Sequence, residues 1–350
     1  MKKIEQDILF MDYADNLSVK DRLYFLTNQL IDFLADQASK YKIAVKDIYI
    51  PDLHGDIIHL ILTLHNHNLL DGNLNLSKDH NYIFLGDVYD RGEDACLIDA
   101  WINVQVLNGS NIIRLLGNHE LGFLIRKNDG LPLLHPAQDS INDVKFGFQI
   151  TESLLKNMSQ GNIKACHLSD LMIENYSVFY VHSYIIEDDF KELGISVDSP
   201  IKTFSNALNT RLMKKSKEAY EIFLRGKSSG VIDWTGIRDV FLSDLMFNPE
   251  TERNDMKTSF LWRRSGIANL NIYPNEILVK IPDKVYQIVG HTPVFKFNMN
   301  DNSKIKSPII YSSSLSNGKV QFSDVGMGYF YDSDSFERPE VRLDYPLICL

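Results

Sequence analysis

The sequence predicts an α/β fold: a two-sheet β-sandwich flanked by helices, with a further helical insertion beside it. Two observations carry this. Three apolar runs, "DIYI", "YIFL" and "NIIRLL", each end in a short polar motif and lead toward a helix-like segment, at intervals of about thirty residues. Repeats of that length build parallel strands joined by crossover helices. Strand-like runs then return at "SVFYVHS", "KVYQIVGHTP", "PIIYS", "GKVQFSDVG" and "VRLDYPLICL", which predicts a second, mixed sheet.

The elements follow in order. From about Val19 to Tyr41, Leu23, Leu26, Leu30, Phe33 and Leu34 recur at helical spacing, so residues 1–44 are expected to be a helical segment packed on the outside of a domain spanning 45–350. Within that domain "DIYI" ends in "PDLHGD" and precedes "IIHLILTLHNHNLL". "YIFL" ends in "GDVYDRG" and precedes "EDACLIDAWINVQVL", and "NIIRLL" ends in "GNHE". All three motifs therefore fall at strand C-termini, on the edge of the sheet where open α/β proteins bind ligands. Residues of about 135–176 and 202–246 have mostly helical patterning and read as insertions or a cap.

Bulk properties exclude several classes. The 350 residues, 44% apolar, suffice for a sizeable core. With 36 basic against 46 acidic residues and a formal charge of -10, general nucleic-acid binding is disfavoured, and an anionic ligand needs local positive charge. Cys96, Cys166 and Cys349 lack any CxxC spacing, which argues against a disulfide framework or zinc ribbon and fits a reducing compartment. No apolar run is long enough for a signal peptide or a membrane span, so the expectation is a soluble, cytoplasmic chain. The apolar terminus "YPLICL" reads as a strand and leaves room for a chain that continues beyond Leu350.

Hard and borderline ligand residues collect at the ends of the apolar runs: Asp52 and His54, Asp87, Asn118, His182 and His291. Each alone is unremarkable, because a lone strand-end histidine is commonly a satisfied structural residue. Together they match what two divalent cations about 3.5–4 Å apart require, a bridging carboxylate plus nitrogen and oxygen donors. Gly55, Gly86, Gly117 and Gly290 stand beside them, where backbones must approach closely. His59, His65, His67, His80, His135 and His167 have no such placement and are read as surface or helix residues.

The series "PDLHGD", "GDVYDRG", "GNHE", "YVHS" and "VGHTP", in this order, resembles the motifs of the calcineurin-like metallophosphoesterases, specifically the phosphoprotein phosphatase (PPP) family. It spans about Asp52 to His291, and the pairing of GDxxDRG with GNHE is its most specific part. Leu116 before "GNHE" resembles bacterial-type protein phosphatases, since eukaryotic members usually carry arginine there.

The resemblance implies a metallophosphoesterase-type sandwich as the catalytic domain. It further implies one metal held by Asp52 and His54, a second by Asn118, His182 and His291, and Asp87 bridging them. Asn118 would also contact substrate phosphate. Manganese is the expected metal, with iron or zinc as alternatives. His119 would be the general acid oriented by Asp90, and Arg91 would grip two phosphate oxygens with its planar fork. "SFLWRRSG" resembles a W-x-R element of bacterial members and nominates Arg264 as a second phosphate arginine, ahead of Arg263. The implied reaction is hydrolysis of a phosphomonoester by direct attack of a hydroxide bridging two metals. The substrate would be a phosphorylated protein, pSer or pThr first and pTyr next. Two alternatives stand beside it: a dinucleoside tetraphosphate-type hydrolase and a catalytically silent phosphate-binding protein.

The pattern also departs from the family. Pro51 replaces a common glycine before Asp52, and Ser183 and Tyr184 follow His182 where small residues are usual, so a tyrosine narrowing the pocket is expected. The segment "RLMKKSKEAYEIFLRGK" places Arg211, Lys214, Lys215 and Lys217 close together, either as a solvated helix face or as a cap that recognises an acidic or phosphorylated partner. A secreted bacterial effector acting in a host cell is a further expectation for such a chain.

Overall fold

The structure, a computed structural model, describes residues 46–92, 94–125, 147–244, 260–263, 276–277, 280–293, 309–313 and 316–324. The predicted helix over Val19–Tyr41 and the strand-like "VRLDYPLICL" lie outside the described residues, as do Cys349, His135 and Arg264.

The chain forms an α/β fold with two sheets. The first has the order β1 (Asp47–Ile50), β2 (Asn81–Phe84), β3 (Asn111–Leu115) and β4 (Ile163–Lys164), all parallel. Helix α1 (Ile57–Asn66) follows β1, α2 (Ala95–Leu107) follows β2, and α3 (Asn118–Leu124) follows β3. Asp56 caps α1 by accepting the His59 N–H at 3.0 Å. The α2 stretch "ACLIDAWINV" is buried almost throughout, which fits a crossover helix sealed between a sheet and its neighbours.

Helix α4 (Gly147–Ser159) leads into β4 and then into β5 (Cys166–Ile173) and β6 (Tyr176–Val181). Helices α5 (Glu187–Glu192), α6 (Ile201–Ser229) and α7 (Trp234–Leu242) follow, and then β7 (Glu276–Ile277), β8 (Val285–Pro293), β9 (Ile309–Ser313) and β10 (Lys319–Asp324). The second sheet runs β5-β6-β8-β10-β9-β7. It is mixed: β6, β8 and β10 are parallel neighbours, whereas β5 and β9 pair antiparallel to β6 and β10.

One expectation is corrected here. Residues 163–173, read from sequence as part of a helical insertion over 135–176, form strands β4 and β5. The segment "CHLSDLMI" is an edge strand with mixed exposure, so its polar positions obscure any alternation, and the pairing that makes it a strand comes from β6.

The two sheets are joined by polar as well as apolar contacts. Asp47 of β1 accepts from Ser169 Oγ at 2.6 Å and from the Tyr180 hydroxyl at 3.3 Å, and Gln321 of β10 donates to the Tyr49 hydroxyl at 2.7 Å. Tyr49 and Tyr180 pack ring to ring around these bonds, with centroids 6.3 Å apart. A core that includes Ile48, Ile50, Tyr82, Phe84, Val178, Ile288 and Val289 runs continuously between the sheets, which fixes the C-terminal ends of β1, β2, β3, β6 and β8 relative to one another. Of the predicted ligand set, every member sits near one of those ends, His291 two residues before the end of β8.

Candidate functional site

The site begins with backbone geometry. Among the described residues nine that are not glycine have positive φ, and five of them are His54, Asp87, Asp90, Arg91 and His291. A left-handed conformation costs a residue with a side chain about 1–2 kcal/mol, so it persists only where surrounding bonds over-determine it. Here they do. The Asp87 carbonyl accepts the N–H groups of Leu53 and His54 at 3.0 and 2.9 Å, and the Val88 carbonyl accepts that of Gly55 at 2.9 Å. The first two motif loops are therefore tied to each other. Gly86 and Gly117 bring in the third: a Cβ on Gly86 would collide with the Gly117 backbone, and one on Gly117 would fall on the Asp87 carboxylate.

Asp87 lies at the centre. Its Oδ2 is 3.8 Å from His54 Nε2, 3.7 Å from His119 Nε2 and 3.5 Å from His182 Nε2. Two groups of side chains have ligand atoms within 4.8 Å of one another, His54–Asp87–His119 and Asp87–His182–His291, and Asp87 is the member they share. Asp52 borders both, with Oδ2 4.0 Å from His54 Nε2 and Oδ1 3.9 Å from His182 Nδ1. Both of its oxygens lie 3.0 Å from the His291 backbone N–H. Asn118 Oδ1 is 2.8 Å from His182 Nε2. Asp52, His54, Asp87, Asn118, His182 and His291 are thus brought together, all of them buried.

The hydrogen bonds behind the histidines decide what faces the centre. A carbonyl can only accept, so Nδ1 of His54, 3.2 Å from the Tyr89 carbonyl, and Nδ1 of His182, 2.9 Å from the Leu85 carbonyl, carry the protons. Burial first, then the nearby Arg91 charge, holds His54 well below the usual histidine range, so it is neutral near pH 7. The Nε2 of neutral His54 then presents its lone pair toward the Asp52 and Asp87 carboxylates, and the His182 Nε2 faces the Asp87 carboxylate and the Asn118 amide oxygen. Lone pairs facing carboxylates repel unless a cation lies between them, and a backbone carbonyl behind each ring is the second-layer support that metal-ligating histidines ordinarily have.

Charge balance points the same way. Burial first, then the Asp324 and Asp87 charges, pushes Asp52 well above the usual carboxylate range. Such crowding of buried acids is what bound divalent cations relieve. The residues present therefore fit a pair of divalent metals with mixed nitrogen and oxygen donors.

His119 differs from the others. It is the one member of the two groups that is partly exposed, and its Nδ1 lies 2.5 Å from Asp90 Oδ2. Burial pulls its pKa down, but the Asp87 charge and the bond to Asp90 outweigh that and leave it raised above the histidine value. Arg91 follows directly, partly buried, with its N–H bonded to Asp90 Oδ1 at 2.7 Å, and its charge acts on Asp52, His54 and His119.

Two neighbours of these residues had no place in the sequence-predicted set. Glu120 accepts the N–H groups of Asp87 at 2.9 Å, Val88 at 2.7 Å and Gly117 at 2.9 Å, and burial followed by the Asp87 charge raises its pKa to about 7. Its signal in the sequence was its place as third residue of α3 in "GNHE", where an acidic side chain turns back on preceding N–H groups. Asp324, fully buried at the end of β10, is the other. It ends the apolar-rich run "KVQFSD" as Asp87 follows "YIFLG", and that likeness is its signal.

The remaining predicted residues fall differently. Arg264 is outside the described residues, whereas Arg263 is buried and clamps Asp189 with Nη1 and Nη2 at 2.8 and 2.9 Å, while donating to the Tyr184 carbonyl at 2.8 Å. That fork is already used, so Arg263 anchors the loop rather than offering donors to a ligand. Tyr184 is also corrected: it is fully buried against Phe322 and the Arg263 guanidinium and does not narrow an entrance. The aromatic ring fills core that a smaller residue would leave open. His67, expected at the surface or in a helix, is a buried C-cap of α1, and His167 lies on strand β5.

No protein-family model matches the chain, and no curated protein matches it. Among solved structures it is similar to a cold-active protein-tyrosine phosphatase of a psychrophilic Shewanella species, at 15% identity over 85% of this chain and 76% of that one, with a TM-score of 0.42. It is also similar to the phosphatase domain of the Legionella effector WipB, at 16% identity over 71% of this chain and 99% of that one, TM-score 0.42. A third likeness is to a Saccharomyces cerevisiae protein serine/threonine phosphatase with similarity to human phosphatase PP5, at 17% identity over 53% and 52% of the two chains, TM-score 0.32. These are partial overlaps of backbone, and the chemistry of the site rests on its own residues.

Proposed function

We propose that the chain is a metal-dependent phosphomonoesterase of the PPP type that acts on phosphoproteins. The observation that carries this reading is Asp87, whose one carboxylate is common to two groups of histidine ligands. Asp52 and His54 would hold one divalent cation, Asn118, His182 and His291 a second, and Asp87 both, with manganese expected and iron or zinc as alternatives. Bound there, the cations supply Lewis acidity toward a phosphoryl oxygen and lower the pKa of a water molecule.

The chain's own residues do the rest. Arg91, held beside the histidines by the Asp90–Arg91 backbone turn, directs its guanidinium fork to phosphate oxygens, a role in which Arg264 joins it. His119 keeps a proton on Nδ1 through Asp90, which leaves Nε2 to deliver a second proton to the departing oxygen. Its partial exposure places that proton at the mouth of the site, where the leaving group of a bulky protein substrate would emerge. Asp90 stabilises the protonated ring and so favours the acid form.

The test is phosphate release from pSer, pThr and pTyr peptides and from a dinucleoside tetraphosphate, with manganese, comparing wild type with His119→Ala and Asp87→Asn. Release from peptides that collapses in both variants is the expected result. Release from the dinucleotide alone would replace this reading with nucleotide hydrolysis, and release from nothing would leave a phosphate-binding protein.

A further inference from the structure

The basic residues of α6 differ in whether the fold engages them, and near its C-terminal end Lys227 is tied to Glu152 at 2.7 Å. Arg211 is paired with the buried Asp244, and Lys215 donates to the Val240 carbonyl at 2.7 Å and to Ser243 Oγ at 2.6 Å. Both therefore secure α7 and are not available to a cap that recognises a partner. At 100° per residue, Lys202, Asn206, Thr210, Met213 and Lys217 fall on a different stripe of the helix.

That stripe faces a hollow. Asn206, Asn209, Thr210 and Met213 line a depression of about 410 Å³ together with Gly161, Ile163 and Lys164 at the edge strand β4. Its composition is specific: an apolar patch from the 40%-exposed Met213 over the buried Ile163, bordered by amide and hydroxyl groups, with one lysine in the wall. Lys202 and Lys217 stand on the same stripe, each about one helical turn beyond the residues that line the hollow, and both are exposed. Among the described residues no ion pair engages Lys164, Lys202 or Lys217, so three cations face solvent on a chain with a formal charge of -10.

We infer that this groove, between α6 and the β4 edge, is a docking site for an extended acidic peptide segment of a phosphoprotein substrate, separate from the phosphoryl site. Length argues for a peptide rather than a small molecule. Lys202 and Lys217 are fifteen residues apart on one helix, or about 22 Å, which matches six or seven extended residues at about 3.3 Å each. Carboxylates would meet Lys202, Lys164 and Lys217, one apolar side chain would seat on Met213, and Asn206 and Thr210 would bond the peptide backbone. Asn209 is already spoken for, accepting the Ala165 N–H at 2.8 Å and donating to the Cys166 carbonyl at 3.0 Å, so it holds the wall in place.

Position supports a role in substrate capture. The Lys164 carbonyl accepts the Leu116 N–H at 2.8 Å, and Leu116 lies two residues before Asn118. The groove wall is thus one strand spacing, about 4.8 Å, from the strand that feeds the candidate metal centre. A single nucleic-acid strand, the other polyanion of suitable length, fits less well, because none of the lining residues is aromatic and a base would find nothing to stack on.

The inference uses the phosphoprotein reading for its biological setting, but its test does not depend on turnover. A fluorescent, unphosphorylated peptide of six Glu and Asp residues around one Leu is titrated with the full chain and followed by anisotropy. The comparison is with its Lys-substituted counterpart, with an oligouridylate of similar length, and with the variants Lys164→Glu, Lys217→Glu and Met213→Ser, whose folding is checked by thermal unfolding. Saturable binding of the acidic peptide, weakened about tenfold by either charge reversal and also by Met213→Ser, is expected. Hydrolysis of p-nitrophenyl phosphate should be unchanged in the same variants. Failure of the acidic peptide to bind, equal binding by folded charge-reversal variants, or preference for the oligouridylate would overturn the proposal. Peptide binding with no aryl phosphate hydrolysis by wild type would leave the groove standing and remove the phosphatase reading instead.

Discussion

Glu120 holds the Asp87 backbone in place: its Oε2 accepts the Asp87 N–H at 2.9 Å while its Oε1 takes the next one, from Val88, at 2.7 Å. The same Oε2 accepts the Gly117 N–H, so one buried carboxylate fixes the loop that carries Asp87 to the loop that carries Asn118 and His119. With φ of 52° at Asp87, that geometry does not maintain itself.

Glu120→Ala leaves three buried N–H groups without their acceptor, at about 1–3 kcal/mol for each, so a loss of roughly 3 kcal/mol or more in stability is expected. Glu120→Gln retains one oxygen but turns an NH₂ group toward an N–H, and should lose most of the metal affinity while keeping much of the stability. Chemical denaturation and metal titration separate the two effects. Wild-type metal affinity in Glu120→Gln would show that Glu120 does not position Asp87.

Stability of the metal-free protein should fall as pH rises above about 6.5. His119, raised above its ordinary value, contributes stability below the unfolded histidine pKa and loses it as pH passes through its folded pKa. Glu120 is a carboxyl whose folded pKa, about 7, lies above its unfolded value, so the folded state binds more protons and loses stability as pH rises toward 7; Asp52 has the same sign. Below about 6.5 the depressed His54 opposes them, because the unfolded chain binds its proton more tightly. Added manganese should flatten the decline, since ligation requires the deprotonated groups. Calorimetry at a series of pH values, with and without metal, measures both. A rise in metal-free stability across this window would contradict the arrangement.

Asp90→Asn should move the alkaline limb of the activity profile to lower pH. The Asp90 bond and charge help to raise the His119 pKa, and an amide supplies neither the charge nor the same acceptor strength. A general acid acts in its protonated form, so a lower pKa ends activity at a lower pH. A phosphopeptide with a good leaving group should suffer less than one with an alkoxide leaving group. An unshifted profile would indicate that Asp90 does not tune His119.

The two adjacent arginines should separate by phenotype. Removing Arg263 strands the buried Asp189 carboxylate, which costs about 3–5 kcal/mol, so Arg263→Ala should lower the unfolding midpoint steeply. Arg264→Ala should leave stability near wild type and raise KM for a phosphomonoester about tenfold or more, the loss of one charge-assisted contact of about 1.5–3 kcal/mol. Thermal unfolding with steady-state kinetics decides it, and an Arg264 variant with unchanged kinetics would place phosphate binding on Arg91 alone.

The parallel sheet and the residues gathered at its edge were legible in the sequence because each signal was local. "DIYI", "YIFL" and "NIIRL" are short apolar runs whose residues need no partner to announce themselves, and Asp52, His54, Asp87, Asn118, His182 and His291 stand at or near the ends of such runs. Other assignments depended on which residues meet across the fold. The strand β5 exists because β6 pairs with it, Arg263 is structural because Asp189 lies opposite its fork, and Tyr184 is core because Phe322 and Arg263 enclose it. Likewise Arg211 and Lys215 look identical in sequence to Lys217, and only the packing of α7 on one face of α6 consumes the first two and leaves the third in solvent. Sequence by itself determined which chemistry was present at the strand ends. Tertiary structure decided which charges were neutralised, because pairing and burial are properties of neighbours that the chain brings together only on folding.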